Sequence, residues 1–180
     1  RGFMGVPRGA TLLTGPLPAA TPMSESTFDP AARYGAQLDA LFQRTRTSSL
    51  LALAPIVLLA GMHVGHAPLG PVLMWTLAIL GVYAVRIGIA HSYLTRPRSA
   101  EPSPLWLDVE TMAAAAAGTG WGSMLFLLDT ARLDMLFAVK LAFIAGVCAF
   151  AMNSMAIVRF IYFTFLLPIY LVATAYALME

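Results

Sequence analysis

Five long apolar stretches, separated by short polar segments, occupy the chain from Ser48 to Leu178. Each stretch has about the 20 residues that a helix needs to cross ~30 Å of hydrocarbon. The pattern therefore predicts an all-α fold, a polytopic bundle of transmembrane helices over residues 48–180. The predicted spans are approximately residues 48–66, 71–93, 107–128, 135–156 and 158–178.

The sequence before the first span divides into two parts. Residues 1–30 are predicted to be disordered, since residues 1–22 are rich in Gly, Pro, Thr and Ala without periodicity, and Met23 is a more natural start than Arg1. Residues 31–47 place apolar side chains on one face of a helix, at positions i, i+4, i+7 and i+8. This segment predicts an amphipathic helix at the membrane surface, and its apolar face consists of Tyr34, Leu38, Leu41 and Phe42.

Composition agrees with a lipid environment. Hydrophobic residues make up 59% of the 180 residues and charged residues only 11%, and the mean hydropathy is +0.76. Soluble domains have roughly a quarter of their residues charged. We therefore expect much of the surface of this protein to contact lipid rather than water. The single cysteine, Cys148, excludes a disulfide within one chain.

Basic residues near the span ends predict the orientation, because cytoplasmic loops are enriched in Lys and Arg. Only Arg132 lies in the opposite loops, which places the amino terminus in the cytoplasm. Five spans would then leave Glu180 outside, and we expect a sixth helix after it. The cytoplasmic set consists of Arg33, Arg44, Arg46, Arg96, Arg98 and Arg159.

Three histidines are the candidate ligands of a metal or haem. His63 and His66 lie near one end of their span, whereas His91 lies near the other end of the bundle, roughly 25–30 Å away. They cannot share one iron, so no cofactor is expected. His63 and His66 are three residues apart on one helical face and remain candidates for a surface metal, although we favour an interfacial polar role.

Three polar residues fall inside the predicted spans, where ionisable and hydrogen-bonding groups are functional candidates. Arg86 and Lys140 are long enough to extend toward the headgroups, which we favour over a buried polar contact. For Lys140, the outer-rim residues Asp129 and Asp134 are possible partners. Asn153 is expected to bond a neighbouring helix.

Small residues recur at four-residue spacing in the third and fourth spans. The third has Ala114, Gly118 and Gly122 around Trp121, and the fourth has Ala138, Ala142 and Gly146. Such stripes allow two helices to approach closely, so we expect these two spans to pack together rather than to form a ligand pocket. Pro55 and Pro168 should kink the first and fifth spans, and with the glycine seam they should permit two packings.

In order along the chain, several segments resemble the multi-helix membrane input region of bacterial GGDEF diguanylate cyclases, GGDEF/EAL proteins and some sensor histidine kinases. The segments are GAQLDALFQRTRTSSLLALAPIVLLAG, RIGIAHSY, GTGWGSMLFLL, AFIAGVCAFAMNSMA and FTFLLPIYLVA. The resemblance implies a six-helix input module in the bacterial inner membrane, followed by a cytoplasmic output domain. It also implies a homodimer formed through the output domain, and a small-molecule or membrane-state stimulus.

The expected function is therefore sensory input. No catalytic residues are present, so the segment itself should not be an enzyme, whereas its full-length parent would be a diguanylate cyclase or histidine kinase. There is no basic face for nucleic acid. A transport or assembly subunit is the alternative, although no internal repeat favours transport. The position of the histidines disfavours a haem-binding redox subunit.

Overall fold

The computed structural model describes residues 30–97, 103–128 and 134–179. These residues form five helices and no strand, which confirms the all-α prediction. Residues 1–29, predicted to be disordered, and Arg98, Asp129 and Arg132 lie outside the described residues. The helices are α1 (Pro30–His63), α2 (Leu69–Thr95), α3 (Leu105–Leu127), α4 (Asp134–Met155) and α5 (Arg159–Met179).

Four of these helices, all except α3, are long and apolar enough to cross a membrane. The chain is thus a membrane protein by the length and composition of its helices. In sequence, α3 differs from the others because it contains Asp108, Glu110 and three glycines between Gly118 and Gly122. Other helices cover Glu110 and the three glycines of α3, whereas Asp108 is exposed.

The surface helix and the first span predicted from the sequence form one uninterrupted helix. At 1.5 Å per residue the 34 residues of α1 extend about 51 Å, well beyond the ~30 Å hydrocarbon core. One part of α1 must therefore lie outside the hydrocarbon. On the predicted apolar face, Leu38, Leu41 and Phe42 are buried against other helices.

The connection between α1 and α2 begins earlier than the sequence suggested. The backbone N–H groups of His66 and Ala67 both donate to the His63 carbonyl, and Gly65, which precedes them, adopts φ +84°. Glycine adopts this left-handed conformation without steric cost, which allows the sharp reversal. Leu69 already belongs to α2, so the turn predicted at residues 67–70 lies instead at residues 64–68.

The helices form a ring in the order α1, α2, α3, α5, α4. The most extensive packing joins α3 to α5, followed by α1 to α2 and α2 to α3. Contacts of α4 with α1 and α5 close the ring and are sparser, and its contact with α3 is slight. The bundle thus has a firmly packed part, α1–α2–α3–α5, and a more loosely held helix, α4.

The small-residue stripe of α3 packs against α5, which corrects the predicted pairing with α4. A Cβ at Gly118 would overlap the backbone carbonyl of Phe165, and one at Gly122 would lie 3.3 Å from the Ile169 Cα. Ala114 and Trp121 are fully buried nearby. In contrast, the stripe of α4 (Ala138, Ala142 and Gly146) is exposed and has open space beside Gly146.

An aromatic cluster fastens one end of α1, α2 and α3. Phe42 stacks on Tyr93 with ring centroids 4.1 Å apart, and Trp106 meets both rings edge-on. The Tyr93 hydroxyl donates to Asp39, and the Arg96 guanidinium lies 3.8 Å from the Tyr93 ring centroid. Such ring contacts add about 0.5–1.5 kcal/mol each beyond their burial, so this end of the bundle is firmly joined.

Candidate functional site

A buried ion pair lies at the junction of three helices. Arg86 on α2 donates to the Glu110 carboxylate on α3, and their side chains are 2% and 0% exposed. The prediction that Arg86 extends toward the headgroups is therefore wrong, because its charge is neutralised inside the protein. Burying two charges in an apolar bundle is costly unless each finds its partner, so such pairs mark positions with a specific role.

Helix α1 joins this pair through Thr45. The Thr45 hydroxyl donates to Glu110 Oε1 at 3.2 Å, and Ser49 lies one turn further along the same face of α1. Three polar atoms of this region are buried without a hydrogen-bond partner among the described residues: Arg86 Nε, Glu110 Oε2 and Ser49 Oγ. Unpaired buried polar atoms cost about 1–3 kcal/mol each, so the network retains capacity for further hydrogen bonds.

Beside the ion pair lies a cavity of about 390 Å³, within the size range of small-molecule sites. Its walls come from α1, α2, α4 and one residue of α5, Phe165. The stripe residues Ala142 and Gly146 form part of the α4 wall. Their small side chains create the cavity, whereas the sequence had assigned them to close helix packing.

The cavity is polar at one end and apolar at the other. Ser48 and Ser154 lie at the polar end, toward the amino-terminal part of α1, and Arg86 lies on the α2 wall. Seven residues further along α1, about 10 Å, the wall contains Pro55. On α4, the wall residues furthest from Ser154 are Ala142 and Phe143, so this deeper end offers only apolar surface.

A second hollow, of about 530 Å³, continues from the polar end between α1 and α4. The two share Ser48, Leu51, Phe150 and Ser154. The hollow also contains Gln43, Arg44, Thr47 and Asn153, all exposed. We call the cavity and this hollow together the α1–α4 cleft.

A hydrogen-bonded chain of aromatic side chains supports the α2 wall. Trp121 Nε1 donates to the Tyr83 hydroxyl at 2.8 Å, and Trp75 Nε1 donates to the Gly120 carbonyl at 2.8 Å. The two indole rings meet edge-on with centroids 6.0 Å apart. Since Tyr83 lines the cavity and Trp121 packs in the core, this chain connects the cavity wall to the α3 seam.

Replacing Tyr83 with Phe should lower the free energy of unfolding by about 1–3 kcal/mol, because the Trp121 N–H loses its buried acceptor. Unfolding by sodium dodecyl sulfate in mixed micelles measures this loss. Tyr170→Phe is the matched control, since Tyr170 is 63% exposed and should tolerate the change. Equal stability of the two variants would contradict a structural role for the hydroxyl.

The other intramembrane polar residues also make contacts. Lys140 is buried and its Nζ donates to the Leu128 carbonyl at 3.2 Å, so it does not extend to the headgroups. A cation beside the carbonyl end of α3 is favourable, because the helix dipole is negative there. Asn153 meets a neighbouring helix as expected, but through its backbone carbonyl, which accepts a bond from Arg44 at 3.2 Å.

The two histidines at the end of α1 do not share a helical face. His63 is buried as the last residue of α1, and its Nδ1 donates to the Leu59 carbonyl at 2.8 Å. His66 lies within the turn at residues 64–68 and is exposed. Within the described residues, no three His, Cys, Asp or Glu side chains are grouped to hold a metal ion.

Both prolines lie within continuous helices, Pro55 in α1 and Pro168 in α5. Pro55 cannot donate to the carbonyl four residues earlier, that of Leu51, and both residues line the cavity. The backbone of α1 is thus weakened at the cavity wall itself. This position is compatible with a helix that adjusts its packing there.

Sequence reasoning missed Glu110, Thr45 and Tyr83. Glu110 belongs to the predicted third span, residues 107–128, and lies four residues before Ala114, so it extends the α3 stripe by one step. Two signals could have predicted that Glu110 is buried in the bundle: this four-residue spacing, and the presence of Arg86 as an intramembrane charge of opposite sign. No protein-family model, curated protein or solved structure matches the chain, so a functional proposal rests on its own geometry.

Proposed function

We propose that the chain is a membrane-embedded sensory input module, which couples occupancy of the α1–α4 cleft to a cytoplasmic output domain. The observation that carries this proposal is the cavity of about 390 Å³ between a firmly packed set of helices and the loosely held α4. A stimulus can act only through a difference in its affinity for two packings. A cavity bounded by one weakly attached helix supplies such a difference.

The ion pair gives the firm side of the module its stiffness. Thr45, Arg86 and Glu110 connect α1, α2 and α3, and the glycine seam connects α3 to α5. Against this frame, α4 is held mainly by its contacts with α1 and α5. Occupancy of the cleft would thus shift α4 relative to α1, with a coupling free energy of about 1–3 kcal/mol being sufficient for signalling.

The proposed membrane topology places the output domain in the cytoplasm. All five helices cross the bacterial inner membrane, with Glu110 of α3 paired inside the bundle and the amino terminus in the cytoplasm. A sixth helix returns the chain to the cytoplasm, where a dimeric output domain, a diguanylate cyclase or a histidine kinase, receives the signal. The basic residues around α1 and α2 and the ordered sequence segments that resemble such input regions support this arrangement.

The coding sequence that follows Glu180 in the gene tests this proposal. We expect it to encode one more apolar helix and then a GGDEF, GGDEF/EAL or kinase domain. A stop codon directly after Glu180, or a continuation without any output domain, would contradict the proposal. Reading the gene requires no folded protein, so the answer does not depend on expression or reconstitution.

A small transport subunit is the second candidate, favoured by the ion pair beside the cavity, since transporters use intramembrane charges. Transport requires the cavity to open alternately on both sides of the membrane. Around Pro55, Ala142 and Phe143, however, the deep end of the cavity is apolar. Uptake of radiolabelled solute by proteoliposomes would support transport over sensing.

A further inference from the structure

We infer that the α1–α4 cleft binds a single-chain amphiphile with an anionic head, a long-chain carboxylate, whose head lies at Arg44 and whose chain enters the cavity. As an assignment of the stimulus, this inference rests on the proposed function. The binding site itself is argued from the shape, polarity and charge of the cleft.

The shape of the cleft fits one extended chain. From Gln43 in the outer hollow to Pro55 in the cavity, α1 advances about 18 Å. At ~30 Å³ for a water-sized group, the cavity alone holds at least about a dozen non-hydrogen atoms. The open space beside Gly146 keeps this volume free of side chains.

The polarity of the cleft gives the amphiphile its direction. The deep end, around Pro55, Phe143 and Phe165, has no charged group and suits hydrocarbon. At the other end, the exposed Gln43, Arg44 and Thr47 lie in the outer hollow and can solvate a polar head. A ligand that is polar throughout would leave its groups unpaired at the deep end, at a cost in affinity.

The charge of the cleft selects an anion. Arg44 lies in the outer hollow and Arg86 lies on the cavity wall, whereas no acidic residue lines either part among the described residues. Arg44 uses one of its five N–H donors on the Asn153 carbonyl, which leaves others for a carboxylate. Glu110 already neutralises Arg86, so Arg44 is the principal partner of the head.

A dodecanoate brominated at its terminal carbon is the probe, added to the purified chain in phosphatidylcholine nanodiscs. Bromine quenches tryptophan at short range, and Trp75 and Trp121 are 1% and 0% exposed, which shelters these two, unlike the partly buried Trp106, from probe dissolved in the bilayer. Since Trp121 donates to the cavity residue Tyr83, a chain in the cavity brings bromine close to it. We expect saturable quenching that unbrominated dodecanoate reverses.

Three variants and a second probe make the test specific. Gly146→Leu fills the cavity and should abolish saturable quenching, whereas Gly81→Leu, an exposed helical glycine with equally open surroundings, should retain it. Arg44→Gln should weaken binding of the acid about fivefold, the effect of one basic residue on an anion near the membrane surface. The correspondingly brominated dodecanol should bind Arg44→Gln and the unmodified chain equally.

Saturable quenching that persists in Gly146→Leu, or that is absent from the unmodified chain, would show that the amphiphile does not bind in the cavity. Equal affinity of the unmodified chain for the acid and the alcohol would contradict the preference for an anionic head. Helical circular dichroism of all variants confirms that they are folded. This binding measurement needs no output domain, so a negative result rejects the ligand alone. The coding sequence after Glu180 tests the proposed function separately.

Discussion

Glu110→Ala should lower the free energy of unfolding by about 3–5 kcal/mol, because it leaves the Arg86 guanidinium buried without its counter-charge. It also removes the acceptor of the Thr45 hydroxyl, so α1, α2 and α3 lose their common contact. Unfolding of the purified chain by sodium dodecyl sulfate in mixed micelles measures the loss.

Two further variants separate charge from general disruption. Asp108→Ala, in the same helix but exposed, should change stability by less than about 0.5 kcal/mol. The double variant Arg86→Leu with Glu110→Leu should recover most of the stability, since an apolar pair of similar size replaces both charges. If Glu110→Ala were as stable as Asp108→Ala, the buried pair would not be a structural element of the bundle.

Gly118→Ala should destabilise the chain by about 1–3 kcal/mol, because the added methyl group meets backbone rather than a movable side chain. The Phe165 carbonyl carbon would lie 3.0 Å from the new Cβ and the Phe165 Cα 3.4 Å from it, so α3 and α5 must separate. The same denaturation measurement checks this value.

Gly81→Ala is the matched control for this close approach. Nothing lies within 4 Å of a Cβ at Gly81, so alanine there should be neutral or stabilise the helix by up to about 1 kcal/mol. The two substitutions make the same chemical change in two helices of the bundle. Unaltered stability of Gly118→Ala would show that α3 and α5 do not approach as closely as described.

The helices could be predicted from the sequence because the bilayer imposes their length. The second predicted span, residues 71–93, compares with Leu69–Thr95 in the structure. Hydrophobic length carries no information about the start of α1, which continues outside the hydrocarbon as an amphipathic helix. For the same reason, it does not separate α3, whose Glu110 is buried against other helices, from the other four helices.

The site could be predicted only in part, because it depends on which helices meet. Four-residue spacing of small residues indicates close approach but not the partner, so the stripe of α3 was assigned to α4 instead of α5. The stripe of α4 has the same spacing, but its residues Ala142 and Gly146 line a cavity instead. Arg86 is buried because Glu110 comes from another helix, and a single sequence does not show that pairing.

The central claim, that cleft occupancy shifts α4 against a fixed frame, can be measured with spin labels on a Cys148→Ser background in nanodiscs. One pair of labels joins α1 to α4, at the exposed Leu58 and Leu141, and a control pair joins α3 to α5, at Met112 and Phe163. Pulsed dipolar spectroscopy with and without dodecanoate should show a changed distance distribution for the first pair and an unchanged one for the second. Saturating dodecanoate that leaves both distributions unchanged would contradict the claim.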